Sequence, residues 1–166
     1  MLITPHVLLG AAVTKRTGSL LLGIPLAFAS HFVLDAIPNW DVGLTNAKNI
    51  GIVITDGIIA LLLLRLLSLS RQGACRDQAL LWVGGFFGIL PDLLSQGFGV
   101  IGIQRWVPLE GFHQGIQRSA HIGWSLPVQI LLSTILAGWI YYMTKYASSP
   151  EQQNKTYFSK MIPIPK

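Results

Sequence analysis

One stretch decides both the fold and the candidate site: Ser30-His31-Phe32-Val33-Leu34-Asp35-Ala36-Ile37-Pro38-Asn39-Trp40-Asp41. It ends a long apolar run, and it places an imidazole and two carboxylates where a hydrophobic segment should be leaving the membrane. His31 and Asp35 are four residues apart, so on a helix they share one face. Pro38 would then end or kink that helix, and Trp40 is a residue type that favours the membrane interface.

The composition indicates a single-domain membrane protein. Of the 166 residues, 51% are hydrophobic and only 11% are charged, whereas a soluble domain has about 25% charged residues. The net charge of +5 is spread along the chain, which favours contact with anionic lipid headgroups over nucleic-acid binding. Cys75 is the only cysteine, so an intrachain disulfide and a thiolate metal site are excluded. Residues 27–30 imitate a signal-peptide cleavage site, but cleavage there would discard His6 and the first helix, and we favour the uncleaved chain.

The hydrophobic pattern predicts an all-α, integral membrane helical bundle, with four spanning helices plus a short N-terminal helix. Residues 4–14 form the short helix, with Thr4 as its N-cap and Pro5 at its first position; it is too short to cross about 30 Å of hydrocarbon. The predicted spans are residues 19–36, 47–69, 78–96 and 122–146, with a further short helix around residues 110–120. The bundle takes up residues 1–146, and the polar tail of residues 147–166 is predicted to be disordered.

The distribution of Lys and Arg predicts the orientation of a multi-pass protein in the cell membrane. The turns at residues 15–16 and 71–76 and the tail carry most of the basic residues, so this side is predicted to be cytoplasmic. Aromatic residues agree with two interfaces: Trp40, Trp106 and Trp124 outside, and Trp82, Trp139, Tyr141 and Tyr142 inside.

The ionisable groups are predicted to gather in the outer half of this bundle. They are the four histidines His6, His31, His113 and His121, and the four acids Asp35, Asp41, Asp56 and Asp92. A charged Asp at mid-bilayer costs roughly 2.5–3.5 kcal/mol, so it needs a partner. Apart from Lys48 and Lys145 at the ends of their spans, Arg65 is the only basic residue within a span, and it lies near the inner end, so a divalent metal is the expected partner. Imidazole and carboxylate without thiolate suit zinc, with manganese or iron as alternatives.

Simpler interpretations of the same residues stay open. His31 and Asp35 could form a plain hydrogen-bonded pair, and Asp41 could close an Asx-turn. Asp56 could bind a hydroxyl of a neighbouring helix, and Asp92 could cap a final helical turn. The agreement of all these groups on one side of the bundle is what favours a common site.

Four short motifs carry a family resemblance. They are His6 after Thr4-Pro5, the His-x-x-x-Asp of His31 and Asp35, the Gly-x-x-Pro-Asp of Gly88, Pro91 and Asp92, and the Arg-x-x-His of Arg118 and His121, which follows His113. On these motifs the chain resembles small bacterial membrane-bound metal-dependent hydrolases, which look distantly like zinc-dependent phospholipase C. It also resembles a group of uncharacterised small membrane proteins with the same His-x-x-x-Asp segment.

The resemblance implies a membrane-embedded, metal-dependent hydrolase of a phosphoester or lipid headgroup, with membrane lipids as its partners. The expected metal ligands are His31, Asp35, Asp92 and His121, followed by His6 and Asp56. Asp41 or His113 would serve as general base or acid, and Arg118 would hold phosphate. Two alternatives remain: a structural metal or polar cluster without catalysis, and a small transporter that relays protons or ions.

Overall fold

The described residues of the protein fold into six α-helices. The computed structural model describes residues 2–39, 46–69, 75–100, 110–116 and 121–146. The helices are α1 (Ile3–Thr17), α2 (Leu20–Asp35), α3 (Ala47–Leu69), α4 (Cys75–Val100), α5 (Glu110–Ile116) and α6 (Ile122–Tyr146). The predicted all-α class is confirmed, and α3 and α6 have the predicted boundaries. The predicted tail of residues 147–166 lies outside the described residues.

Three of the described helices are long and apolar enough to cross a membrane. They are Ala47–Leu69, Cys75–Gln96 and Ile122–Lys145. The fourth span expected from residues 19–36 is not confirmed, because α2 has only 16 residues and is about 24 Å long, less than the hydrocarbon thickness of about 30 Å. Ser19 caps the start of α2 with an extended backbone, and the helix ends at Asp35, three residues before Pro38.

The short N-terminal helix is the centre of the bundle. Four helices (α2, α3, α4 and α6) pack around α1. Leu8, Ala11 and Ala12 on α1 have no exposed surface and join the main apolar cluster with Leu64 of α3 and Ile140 of α6. A helix that is surrounded on all sides needs small residues to let its neighbours approach, and α1 supplies them.

Helices α1 and α4 approach each other closely at a set of glycines. A Cβ atom at Gly10 would lie only 2.8 Å from the Cα of Gly88, and a Cβ at Gly84 would overlap Thr14. Only glycine lets the two backbones come this near. This contact is what carries α4 close enough to α1 and α2 for their polar side chains to meet.

The outer surfaces of α2, α3 and α6 are strongly apolar. Leu21 on α2 is 84% exposed, Leu66 on α3 is 63% exposed and Ile135 on α6 is 58% exposed. Soluble monomers rarely expose continuous apolar faces of this kind, so these surfaces suit contact with lipid. Trp124 and Tyr142, near the two ends of α6, are also exposed, as expected for side chains at two membrane interfaces.

Candidate metal centre

The last turn of α2 carries the pair around which the centre forms. His31 and Asp35 lie one helical turn apart, and His31 Nε2 is 3.0 Å from Asp35 Oδ2. Neither side chain has any exposed surface. The helical spacing that the sequence shows therefore produces a direct contact in the folded chain.

A backbone carbonyl of α4 determines which ring nitrogen of His31 faces the centre. Nδ1 of His31 lies 2.9 Å from the carbonyl oxygen of Gly88. Because a carbonyl only accepts, Nδ1 must carry the hydrogen and donate it. Nε2 is then the atom that faces the carboxylates, and in the neutral ring it would offer its lone pair to a metal ion; a carbonyl that accepts from the other ring nitrogen is the usual arrangement behind a metal-binding histidine.

Two further side chains arrive from α4 and α5. His113 Nε2 lies 2.9 Å from Asp35 Oδ2 and 3.4 Å from Asp92 Oδ1. His31 Nε2 lies 3.5 Å from Asp92 Oδ1 and 3.3 Å from His113 Nε2. All the ion-pair partners that the described part of the chain offers to Asp35 and Asp92 are histidines.

Together these four residues have the geometry of a metal site. His31, Asp35, Asp92 and His113 offer ligand atoms that all lie within 4.8 Å of one another. A tetrahedral zinc site with bonds of about 2.0–2.1 Å has ligand-to-ligand edges of about 3.3 Å. The five separations given above run from 2.9 to 3.5 Å, close to those edges, so the cluster could hold a metal ion.

His6 lies directly behind the four-residue cluster. Its ring stacks on the ring of His31, with centroids 4.1 Å apart, and its Nε2 is 3.4 Å from Asp35 Oδ1. Both ring nitrogens of His6 and Oδ1 of Asp35 are buried and form no hydrogen bond with the residues that the structure describes. Buried polar atoms are rarely left without a partner, so His6 and Asp35 Oδ1 are further candidates for water or metal contact.

The electrostatics of the centre favour the binding of positive charge. Hydrogen bonding to Asp35 and Asp92 raises the pKa of the His113 imidazole to about 10, against the opposing effect of burial. His113 lies on α5, outside the candidate spans. In the metal-free protein its ring therefore carries a proton at neutral pH and supplies the positive charge that a metal would bring.

The other expected ligands lie elsewhere. Asp56, on α3, accepts hydrogen bonds from the Thr4 N–H at 3.0 Å and from the Thr4 hydroxyl at 2.7 Å. It thus caps the first turn of α1 from outside, which explains why α1 begins at Ile3 without using Thr4 as its N-cap. His121 is exposed, and its Nδ1 accepts the N–H of Gly123 at 3.1 Å. Asp41 and Arg118 lie outside the described residues.

Sequence reasoning placed His113 near the site as an acid or base, but the structure places it among the possible ligands. The sequence analysis also did not identify the carbonyl of Gly88, which orients His31. The Gly-x-x-Pro-Asp motif was the available signal, since Gly88 and Asp92 are four residues apart and so share a face of α4.

The comparisons with known proteins found no match for this chain. The chain matches no protein-family model, no curated protein and no solved structure. Its class therefore rests on its own features: an all-helical protein with three helices that could span a membrane, and a His/Asp cluster that could hold a metal ion.

Proposed function

We propose that this protein is an integral membrane, metal-dependent hydrolase that acts on a phosphoester, such as a lipid headgroup, at the outer leaflet. The observation that carries the proposal is the convergence of two imidazoles and two carboxylates from three helices. The described ion pairs of Asp35 and Asp92 contain no lysine or arginine, so a metal that displaces the proton of His113 would be the source of positive charge. Zinc is the proposed ion, because nitrogen and oxygen ligands at tetrahedral spacing suit it, with manganese or iron as alternatives.

The three most buried groups form the holding set. His31, Asp35 and His113 have side chains that are at most 6% exposed, and their contacts with one another are 2.9–3.3 Å. Three protein ligands with one open position are typical of catalytic zinc. A bound ion of this kind lowers the pKa of a water molecule toward 7 and offsets charge on a phosphoryl group.

Asp92 is the group on the accessible side. Its side chain is 19% exposed, and its contacts with the two histidines, at 3.4 and 3.5 Å, are longer than those within the holding set. We assign Asp92 the role of the carboxylate that accepts a proton from water at the open position of the metal. His113 was predicted to act beside the metal, but we assign it to the holding set. Asp41 remains a candidate for proton transfer, and Arg118 the candidate for phosphate binding.

The proposed membrane placement follows from charge. The basic residues of the α1–α2 turn, Lys15 and Arg16, lie at the end of the bundle opposite the cluster, and Lys15 pairs with Asp77 of α4 at 2.6 Å. By the positive-inside rule this end is cytoplasmic, so the cluster lies toward the outer face of a multi-pass cell-membrane protein. The motif resemblance to membrane-bound metal-dependent hydrolases supports the same proposal.

Metal analysis combined with a turnover assay tests the function. The detergent-purified protein should contain about one zinc per chain and should hydrolyse a chromogenic phosphodiester or vesicle phospholipid. His31→Ala should lose both metal and turnover. The matched control is His121→Ala, which removes an exposed imidazole outside the cluster and should change neither. Metal-loaded wild-type protein without turnover on any phosphoester would refute the hydrolase.

One observation favours a second candidate, a structural metal site. His31 and Asp35 are fully buried, and four protein ligands would fill a tetrahedral zinc shell. A structural ion would join α2, α4 and α5. In that case chelation should lower the melting temperature of a protein that shows no turnover, and Asp92→Asn should affect stability alone.

A further inference from the structure

A cavity on the other side of α1 belongs to no part of the metal centre. It has a volume of about 890 Å³ and lies between the first turn of α1 and the N-terminal two-thirds of α3 and α6. Its lining reaches from Lys48 to Leu63 on α3 and from Ile122 to Ala137 on α6, about 22 Å along each helix. That length exceeds the depth of one leaflet of hydrocarbon, about 15 Å.

The walls of this cavity are mostly aliphatic. Ile52 and Ile59 of α3 face it from one side, and Leu126 and Ile130 of α6 face it from the other. Both helices are candidate membrane spans, so an opening between them faces the acyl chains of the bilayer. Its volume lies in the range of cavities that bind small molecules, which are apolar with a few polar groups.

One buried polar group in the cavity has a free donor. Gln129 is 2% exposed and lines the cavity; its Oε1 accepts the N–H of Leu2 at 2.9 Å. Its Nε2 has no hydrogen-bond partner in the described part of the chain. The hydroxyls of Thr55, Ser133 and Thr134, which also line the cavity, donate to carbonyls of their own helices. The Nε2 of Gln129 can therefore donate a hydrogen bond to an acceptor on a bound molecule.

Charge indicates the headgroup of the occupant. Among the described residues, the charged ones that line the cavity are Lys48 and Asp56. Both carboxylate oxygens of Asp56 accept hydrogen bonds from Thr4, whereas the side chain of Lys48, in the first turn of α3, is exposed. An ammonium at this position suits an anionic phosphate, and the buried amide below it suits an ester carbonyl, which accepts and does not donate.

From these features we infer that the cavity binds one anionic glycerophospholipid. An acyl chain lies between α3 and α6, an ester carbonyl accepts from Gln129 Nε2, and the phosphate lies near Lys48. This site is independent of the proposed hydrolase, because none of the four clustered metal-site residues lines the cavity.

Glycine substitutions test the site without touching its polar groups. Gly51 lines the cavity, and a Cβ added there meets no atom within 4 Å, so Gly51→Phe should fill the space that an acyl chain needs. Gly138→Phe is the matched control, since Gly138 is exposed, lies outside the cavity lining and also has open space around its Cβ. If Gly51→Phe fails to fold by circular dichroism, Ala137→Phe fills the cavity from the opposite wall.

The measurement is native mass spectrometry of full-length protein after exposure to vesicles of phosphatidylglycerol or of phosphatidylcholine with the same chains. Wild-type protein and Gly138→Phe should each retain one phosphatidylglycerol per chain, and Gly51→Phe should retain about tenfold less. Wild-type protein should prefer phosphatidylglycerol about fivefold, and Lys48→Gln should remove that preference. His31→Ala should keep the lipid, so that a failure of the metal hypothesis is distinguishable from a failure of this one.

Three outcomes would overturn the inference. In the first, wild-type protein retains no lipid. In the second, Gly51→Phe retains as much lipid as Gly138→Phe. In the third, wild-type protein is a dimer that Gly51→Phe converts to a monomer with no change in bound lipid, which would assign the cavity to a second copy of the chain.

Discussion

Gly88→Ala is the substitution that most directly tests whether helix packing builds the metal centre. Gly88 lies where α4 crosses α1, and its carbonyl accepts the Nδ1 hydrogen of His31. A Cβ at this position would overlap the carbonyl oxygen of His6 and would lie 3.0 Å from the Cα of Gly10. Both obstacles are backbone atoms, which cannot rotate away as the tip of a side chain can.

The expected magnitude follows from those contacts. Real Cβ atoms essentially never lie within 3.0 Å of another heavy atom, and the carbonyl oxygen of His6 lies well inside that limit, so α1 and α4 must separate by about half an ångström or more. Overpacking of this kind destabilises a protein by about 1–3 kcal/mol. The same movement shifts the carbonyl that orients His31, and loss of such support behind a metal ligand lowers metal affinity by about 10–100-fold.

Zinc titration and thermal melting of the detergent-purified protein measure both effects. Gly138→Ala is the control, because a Cβ there meets nothing within 4 Å and the position lies within α6. It should keep full zinc affinity and should stabilise the protein by up to about 1 kcal/mol, since alanine is the better helix former. Wild-type affinity and melting temperature in Gly88→Ala would show that the glycine contact does not position the centre.

Three further predictions concern individual acids and histidines. Asp35→Asn should abolish metal binding, measured by metal content. Asp56→Asn should keep the metal and lower the melting temperature, because Asp56 caps α1. Metal loss in Asp56→Asn would refute the assignment of Asp56 as a cap. His121→Ala should leave zinc affinity within about twofold of wild type, because the ring is exposed outside the cluster. Hydrogen bonding raises the pKa of His113 to about 10, so zinc should displace a proton from His113 when it binds. The affinity for zinc should therefore rise by up to about tenfold per pH unit as the pH approaches this pKa. Calorimetry in two buffers of different ionisation enthalpy would measure the released proton, and equal heats would contradict the assignment.

Local composition was sufficient for most of the helical framework. The apolar runs at residues 47–69 and 122–146 predicted α3 and α6 to the residue, because hydrophobicity and length are properties of a continuous segment. The pairing of His31 with Asp35 was likewise readable, since it depends only on the period of one helix. The residue types also limited the chemistry to imidazole and carboxylate.

Packing decided the rest, because the convergence of distant residues depends on how helices rotate and approach one another. The motif resemblance favoured His121 over His113 as a ligand beside Asp35, whereas the folded chain brings His113 to 2.9 Å from Asp35 and leaves His121 exposed. The short helix α1 became the centre of the bundle because Gly10 and Gly88 let α4 approach it. The same packing turned Asp56 toward the backbone of Thr4, away from the cluster, where its charge stabilises a helix start.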